Sequence, residues 1–218
     1  AINAAGSPGK FQAWAAYDYA DADIFGASLS GSGDLNTVSV GADMRVSDKM
    51  IAGIQFAYTE YKGDFGNNTG DFKLTEPMMT GYMGYGEGPW YLGATFGAGA
   101  LDFDTTRNIT LGATTRTETG VTRGYHIVGR LLGGYWFATK DLLHGPYARM
   151  TYTKAVVHDF AESSADSTAL YYDDQKRYQL LWSAGWQVAG NIGSIRPFAR
   201  ATWEYDSRDQ ERSVSASS

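Results

Sequence analysis

The chain has 218 residues, a formal net charge of −6 at pH 7 and 0 Cys. An acidic chain without a basic run argues against nucleic-acid binding, and the lack of Cys excludes disulfides and thiolate chemistry. No apolar run approaches the roughly 18 residues that a membrane helix needs.

Nine β-strands are predicted from alternating, aromatic-rich segments. They cover residues 11–19, 35–46, 50–61, 74–85, 90–103, 121–137, 147–157, 175–188 and 194–205. Gly is abundant (27) and Pro is scarce (5). The length is sufficient for one all-β domain.

The links between the predicted strands alternate in length. Tight turns rich in Gly, Pro, Asn or Asp occupy 47–49, 86–89 and 190–193, and a slightly longer link occupies 139–146. Longer polar stretches, which we predict to be loops, occupy 20–34, 63–73, 104–120 and 161–174. Short links on one side and long links on the other are typical of an up-and-down barrel, and in bacterial outer-membrane barrels the short turns face the periplasm.

The segment S-I-R-P-F-A-R-A-T-W-E-Y at 194–205 places apolar and charged residues in opposite rows. Successive side chains of a strand point to opposite faces, so one face of this strand is apolar and the other is polar. Val40 and Phe96 belong to similar apolar rows, opposite small residues such as Ser39 and Gly97. The pattern predicts an antiparallel outer-membrane β-barrel, with a soluble sandwich or lipocalin-like barrel as the alternative.

Several ordered motifs resemble the translocator (β) domain of bacterial autotransporters, the type V secretion family. They include L-N-T-V-S-V-G-A-D-M-R-V-S-D-K-M-I-A-G-I-Q-F-A-Y at 35–58, P-W-Y-L-G-A-T-F-G-A-G-A-L-D-F-D at 89–104 and R-P-F-A-R-A-T-W-E-Y at 196–205. The stretch D-D-Q-K-R at 173–177 is most similar to the subgroup whose passenger is a GDSL-type esterase.

The resemblance implies a barrel of twelve strands threaded by an N-terminal linker helix. Residues 1–10 are then a remnant of the linker, residues 11–218 form the barrel domain, and about three C-terminal strands are missing. The implied function is type V secretion from the bacterial outer membrane. The barrel assembly machinery inserts the domain into outer-membrane lipid, the linker lies in the lumen, and an N-terminal passenger is anchored at the cell surface.

The polar row of each strand is expected to line a wet lumen, where opposed charges can hold a linker without closing the bore. The candidate lumen-lining residues are Asp43, Arg45, Gln55, Arg130, Arg149, Thr151, Arg200 and Glu204.

Two other functions fit the sequence, namely an outer-membrane hydrolase and a passive porin-like channel. A hydrolase could use His158 and Asp159, near the base of a long polar stretch. However, the chain lacks the G-x-S-x-G elbow and the H-E-x-x-H zinc motif. We therefore expect a domain that is not itself an enzyme and holds no cofactor or metal.

Overall fold

The computed structural model describes residues 9–25, 30–140, 142–164, 167–190, 196–207 and 216–217. Most of the predicted linker remnant, the turn at 191–193 and the predicted start of the ninth strand at 194–195 lie outside the described residues. The strands are β1 (Phe11–Phe25), β2 (Ser30–Ser47), β3 (Met50–Phe65), β4 (Gly70–Glu87), β5 (Trp90–Leu111), β6 (Thr114–Tyr135), β7 (Phe137–Thr139), β8 (Leu142–Val157), β9 (Phe160–Ala161), β10 (Tyr171–Tyr172), β11 (Gln175–Gly190), β12 (Phe198–Asp206) and β13 (Ala216–Ser217).

Nine long strands form one antiparallel meander in the order β1-β2-β3-β4-β5-β6-β8-β11-β12, with the short β7 added beside β8. Each long strand pairs with the next, and β5 and β6 keep one register over their whole length. The predicted up-and-down topology is therefore confirmed. Among the described residues β1 and β12 do not pair with each other, so the sheet is open.

Three of the four predicted long loops are wrong. The stretches 20–34, 63–73 and 104–120 consist largely of strand residues that extend the hairpins β1–β2, β3–β4 and β5–β6. The polar composition suggested loops, but Thr and other β-branched residues favour the extended backbone even where both faces are polar.

Tight turns close two of these hairpins. Asn67 and Asn68 have φ values of 64° and 59°, and Gly112 has a φ of 64°. A two-residue hairpin turn with positive φ at both central positions is of type I′, and one with positive φ at the first central position is of type II′. The twist of both types matches the twist of the paired strands. Only two to four residues are therefore needed where longer loops were predicted.

The fourth predicted loop, at 161–174, is mostly irregular as expected. Residues 158–164 and 167–172, which we call the strap, contain the two-residue strands β9 and β10, and β10 also pairs with β13. We call the sheet end at which the strap lies the strap end, and the opposite end the turn end.

The distribution of apolar residues is inverted relative to a soluble protein. Val40, Phe96 and Trp203 are 49%, 63% and 65% exposed, whereas Ser183 and Gln187 are 3% and 2% exposed. A soluble sandwich buries its bulky aliphatic side chains between two sheets, so this alternative is excluded. We call the face with exposed apolar residues the outer face and the opposite face the inner face. The described residues contain no helix that is long and apolar enough to span a membrane.

Candidate functional site

Contacts between strands that are not neighbours identify the inner face as the concave one. Trp14 of β1 reaches Tyr82 of β4, with 3.2 Å between the indole nitrogen and the hydroxyl. Gln187 of β11 likewise donates a hydrogen bond to Tyr91 of β5, although β6 and β8 lie between these strands. Such contacts require curvature toward the inner face, because flat neighbouring strands lie only about 4.8 Å apart.

All eight predicted lumen residues have inner-face parity, and two of them form an ion pair. Arg149 Nη2 lies 2.8 Å from Glu204 Oε1 and donates to Ser183 Oγ at 3.1 Å. The Ser183 hydroxyl in turn donates to the same Glu204 oxygen at 3.1 Å. Strands β8 and β12 are separated by β11, so this bridge spans the concave surface.

Asp43 takes part in a second network, which crosses strands β1 to β4. The Tyr82 hydroxyl donates to Asp43 Oδ2 at 3.2 Å and accepts from Trp14. The rings cover Gly41 and Gly53, where an added Cβ would come within 2.4 Å of the indole and 2.5 Å of the phenol. Glycine on the inner face thus provides the space that these aromatic side chains occupy.

The remaining predicted residues are distributed along the inner face and do not form one cluster. Arg45 donates to backbone carbonyls of the 47–49 turn, at 3.3 and 2.9 Å. Gln55 donates to Ser39 Oγ at 3.2 Å. Arg200 stacks over the Tyr147 ring, with 4.5 Å between the guanidinium carbon and the ring centroid.

Arg130 and Thr151 lie opposite each other in the pairing of β6 with β8. Arg130 is exposed and makes no ion pair within the part of the chain that the structure describes. Its free guanidinium therefore remains available to a segment that enters the concave space.

The sequence prediction missed an ionisable pair on the inner face. His126 Nδ1 lies 2.6 Å from Glu76 Oε1, and both side chains are largely buried. Both residues share the inner parity of their strands, so the alternation contained the signal. The prediction used the polar row of β6 only at Arg130.

At the strap end, a buried ion pair fixes the strap to the inner face of β5. Arg107 Nε donates to Glu162 Oε1 at 2.8 Å, and its Nη2 donates to Glu162 Oε2 and to the Thr168 carbonyl. The Glu162 side chain is 1% exposed, while that of Arg107 is 30% exposed. The Glu162 carboxylate raises the pKa of Arg107, so the guanidinium stays charged.

Glu118 of β6 provides a second anchor for the strap. Hydrogen bonds from the hydroxyls of Ser164 and Thr168 lower the pKa of Glu118, which favours its carboxylate form. The other carboxylate oxygen, Oε2, is buried without a hydrogen-bond partner among the described residues. The network therefore holds a charged group that water does not reach.

Aromatic packing completes the attachment of the strap. The Phe160 ring covers Gly120 of β6 so closely that an added Cβ would lie 2.4 Å from it. Tyr172 stacks on Phe160, with 4.8 Å between the ring centroids. Because Gly120 and Glu118 have inner-face parity, the strap folds toward the concave side and covers part of it.

The hydrolase hypothesis gains no support from the geometry. His158 Nδ1 lies 3.7 Å from Asp174 Oδ1, and its ring lies beside Tyr125. Asp159 accepts a hydrogen bond from the Tyr171 hydroxyl at 2.7 Å. In the described ranges no serine hydroxyl pairs with His158, and no group of three His, Asp or Glu could hold a metal ion.

Comparisons with known sequences give one consistent family. The model of the autotransporter β-domain matches residues 6–218. Esterase EstA of Pseudomonas aeruginosa is 28% identical over 202 residues, which are 90% of this chain and 31% of the esterase. Lipase 1 of Photorhabdus luminescens is 25% identical, over 82% of this chain and 28% of the lipase. The chain thus spans about a third of the length of the curated relatives that it matches.

Solved structures show the same fold. The translocator domain of the autotransporter NalP from Neisseria meningitidis has a TM-score of 0.77 at 18% identity, covering 98% of this chain and 74% of that domain. The β-domain of the Bordetella autotransporter BrkA has a TM-score of 0.53 at 16% identity, covering 90% of this chain and 93% of that domain. At these identities the likeness concerns the fold alone.

Proposed function

Because the chain belongs to the autotransporter β-domain family, whose barrels reside in the bacterial outer membrane, we propose that it exports an N-terminal passenger to the cell surface and anchors it there. The inverted distribution of side chains supports this proposal most strongly. An outer face with Val40 and Phe96 exposed suits lipid, and an inner face with Asp43, Arg130 and Arg149 suits a wet bore.

The inner face is suited to holding an extended or helical segment in transit without binding it tightly. Several of its polar groups already have partners, as in the pair of Arg149 with Glu204 and the hydrogen bond from Tyr82 to Asp43. A passing linker that meets such groups loses little free energy when it moves on. Arg130 and Arg200 are exposed and make no ion pair among the described residues.

We infer that the passenger is an esterase of the GDSL type. The relatives named esterase EstA and Lipase 1 match this chain over about a third of their own length, which leaves most of each relative for another part. In this proposal catalysis belongs to the passenger, and the barrel domain contributes export and anchoring.

Membrane insertion requires that no strand edge face lipid unpaired. An unsatisfied backbone group in hydrocarbon costs several kcal/mol. The proposal therefore includes pairing partners for the edges of β1 and β12, and insertion by the outer-membrane assembly machinery.

The experiment uses the full-length protein, with a photo-crosslinking amino acid placed at one position at a time. Arg130 and Leu131 are sequence neighbours on opposite faces, and Leu131 is 54% exposed on the outer face. We expect a probe at position 130 to crosslink to the passenger or linker during export. A probe at position 131 should crosslink only to lipid or assembly proteins.

A passenger that reaches the surface without any crosslink from position 130 would contradict the proposal. Equal crosslinking from position 131 would contradict it as well. A purified barrel domain that hydrolyses esters would favour the hydrolase. A full-length protein that has no passenger and shows a steady open conductance would favour the porin-like channel.

A further inference from the structure

Three neighbouring strands share a pattern at the strap end of the outer face. On β6, β8 and β11 the apolar row ends in a tyrosine, and the next outer-face residue beyond it is a cation. The pairs, taken strand by strand, are Tyr125 with Arg123, Tyr152 with Lys154, and Tyr178 with Lys176. Tyrosine at the end of an apolar row marks the interface of a membrane with water.

The pairing register brings the three cations together. Lys154 lies opposite Tyr178 of β11, and Lys176 lies opposite Val156, two residues further along β8. Val156 lies opposite Tyr125 of β6, and Arg123 is the next outer-face residue beyond Tyr125 on that strand. With about 3.3 Å per residue and about 4.8 Å between strands, the Cα atoms of the three cationic residues lie within an area of roughly 10 by 14 Å.

Lys154 lies on the middle strand of the cluster and has no acidic partner among the described residues. Its Nζ lies 5.0 Å from the centre of the Tyr125 ring and 5.6 Å from that of Tyr178. Arg123 pairs with Asp102 at 3.1 Å and Lys176 with Asp174 at 3.0 Å, but these side chains are largely exposed. Exposed ion pairs of this kind contribute about 0–1 kcal/mol and exchange readily for another anion.

The cation that follows the terminal tyrosine distinguishes the sector of β6, β8 and β11 from β3 and β5 on the outer face. Beyond the apolar row, β3 continues with Glu60 and β5 with Asp102. Lys62 and Lys73 on β3 and β4 share Glu60 between them, with 2.6 and 3.0 Å between the charged atoms. The chain has a net charge of −6, so a basic sector at the membrane boundary is not an average property of the surface.

We propose that Arg123, Lys154 and Lys176 bind the phosphate groups of a membrane lipid in the leaflet at the strap end. Lipid phosphates lie at the level where interfacial tyrosines end the apolar band, and Lys and Arg at this level attract anionic headgroups. The acyl chains then lie along the apolar rows of β6, β8 and β11 below the tyrosines. The proposal depends on the outer-membrane location and not on passenger export.

The test measures lipid binding to the full-length protein in detergent by native mass spectrometry. The probes are a doubly phosphorylated disaccharide lipid and the same lipid without phosphate. In the variant R123Q/K154Q/K176Q we expect about 100-fold weaker binding of the phosphorylated lipid, since one interfacial cation contributes about fivefold, equivalent to roughly 1 kcal/mol. Binding of the phosphate-free lipid should not change.

The variant K62Q/K73Q is the matched control, because it removes two outer-face cations at the same end that both pair with Glu60. It should leave binding within a factor of two or so of the wild type, as expected for surface charges held in ion pairs. Equal losses in both variants would refute the assignment, and so would equal affinity for the two lipids. If millimolar inorganic phosphate displaces the phosphorylated lipid, the ligand of this site is a free anion and the lipid assignment is wrong. Unchanged heat-modifiable gel mobility shows that the variants are folded.

Discussion

Replacing Arg107 by Ala is expected to release the strap from the inner face while the sheet remains folded. The substitution removes the guanidinium that makes two hydrogen bonds to Glu162 and one to the Thr168 carbonyl. Among the described residues it leaves the Glu162 carboxylate, 1% exposed, with the Leu170 amide as its remaining donor at 2.8 Å. A buried carboxylate that loses its cation must either take up a proton or move into water.

The magnitude follows from the burial of the two partners. Removing one member of a buried ion pair costs about 3–5 kcal/mol. Arg107 is 30% exposed and Glu162 keeps one amide donor, so the lower end of that range applies, about 3 kcal/mol. At 1.4 kcal/mol per factor of ten, the opening equilibrium of the strap should increase about 100-fold.

Hydrogen exchange with mass spectrometry measures this equilibrium on the folded protein. The amides of His158 and Ser163 donate to the Arg123 and Thr119 carbonyls of β6, so they exchange only when the strap opens. We expect about 100-fold faster exchange of these amides in R107A. Peptides from the β2–β3 hairpin should not change.

Arg123→Ala provides the matched control, because Arg123 is 85% exposed and pairs with Asp102 on the other face. It should change strap exchange by less than about twofold, in line with the small contribution of surface pairs. Unchanged exchange in R107A, or equal acceleration in R123A, would refute the reasoning that burial makes this ion pair important.

Acid should weaken the strap in a defined window. Since the folded-state pKa of Glu118 is lowered below its usual value of 4.5, its contribution is complete above that value and is lost as the pH falls through the folded pKa. After correction for intrinsic exchange, strap opening should increase below about pH 4.5, and E118Q should reduce this dependence. A pH dependence that is identical in E118Q would exclude Glu118 as its source.

Three further substitutions test the assignment of faces, the packing on the inner face and the hydrolase hypothesis. Phe56→Arg, on the outer face, should destabilise the membrane-inserted barrel by about 2–4 kcal/mol in urea unfolding. Gln55→Arg, at the neighbouring inner-face position, should lower the free energy of unfolding far less. Equal losses of stability would contradict the assignment of faces. Gly41→Ala should destabilise by about 1–3 kcal/mol through overlap with the indole ring above it, while Gly129→Ala, which has open space, should be nearly neutral in the same assay. His158→Ala should leave ester hydrolysis by the full-length protein unchanged, and lost activity with export intact would revive the hydrolase hypothesis.

The sequence by itself determined which side chains share a face. Alternation with a period of two is a local property, so the opposite rows of Val40 and Ser39, or of Phe96 and Gly97, could be read without any knowledge of strand partners. The same rule placed the predicted polar residues on one face and predicted the number and order of the long strands.

Local composition was a poorer guide at the strap end. Polar, Thr-rich stretches such as 104–120 were predicted to be loops, but they form paired strands closed by a turn at Gly112. Backbone pairing satisfies their hydrogen bonds whether or not a face is buried, so hydrophobic contrast is not needed there.

The tertiary structure alone decided which inner-face residues meet. Arg149 and Glu204 are 55 positions apart, and Gln187 and Tyr91 are 96 apart. Their contacts depend on the curvature of the sheet and the register of several strands. The ion pair of Arg107 with Glu162 likewise requires the strap to fold inward. A row of side chains is fixed by neighbouring residues, whereas a contact across the concave face is fixed by the packing of the whole sheet.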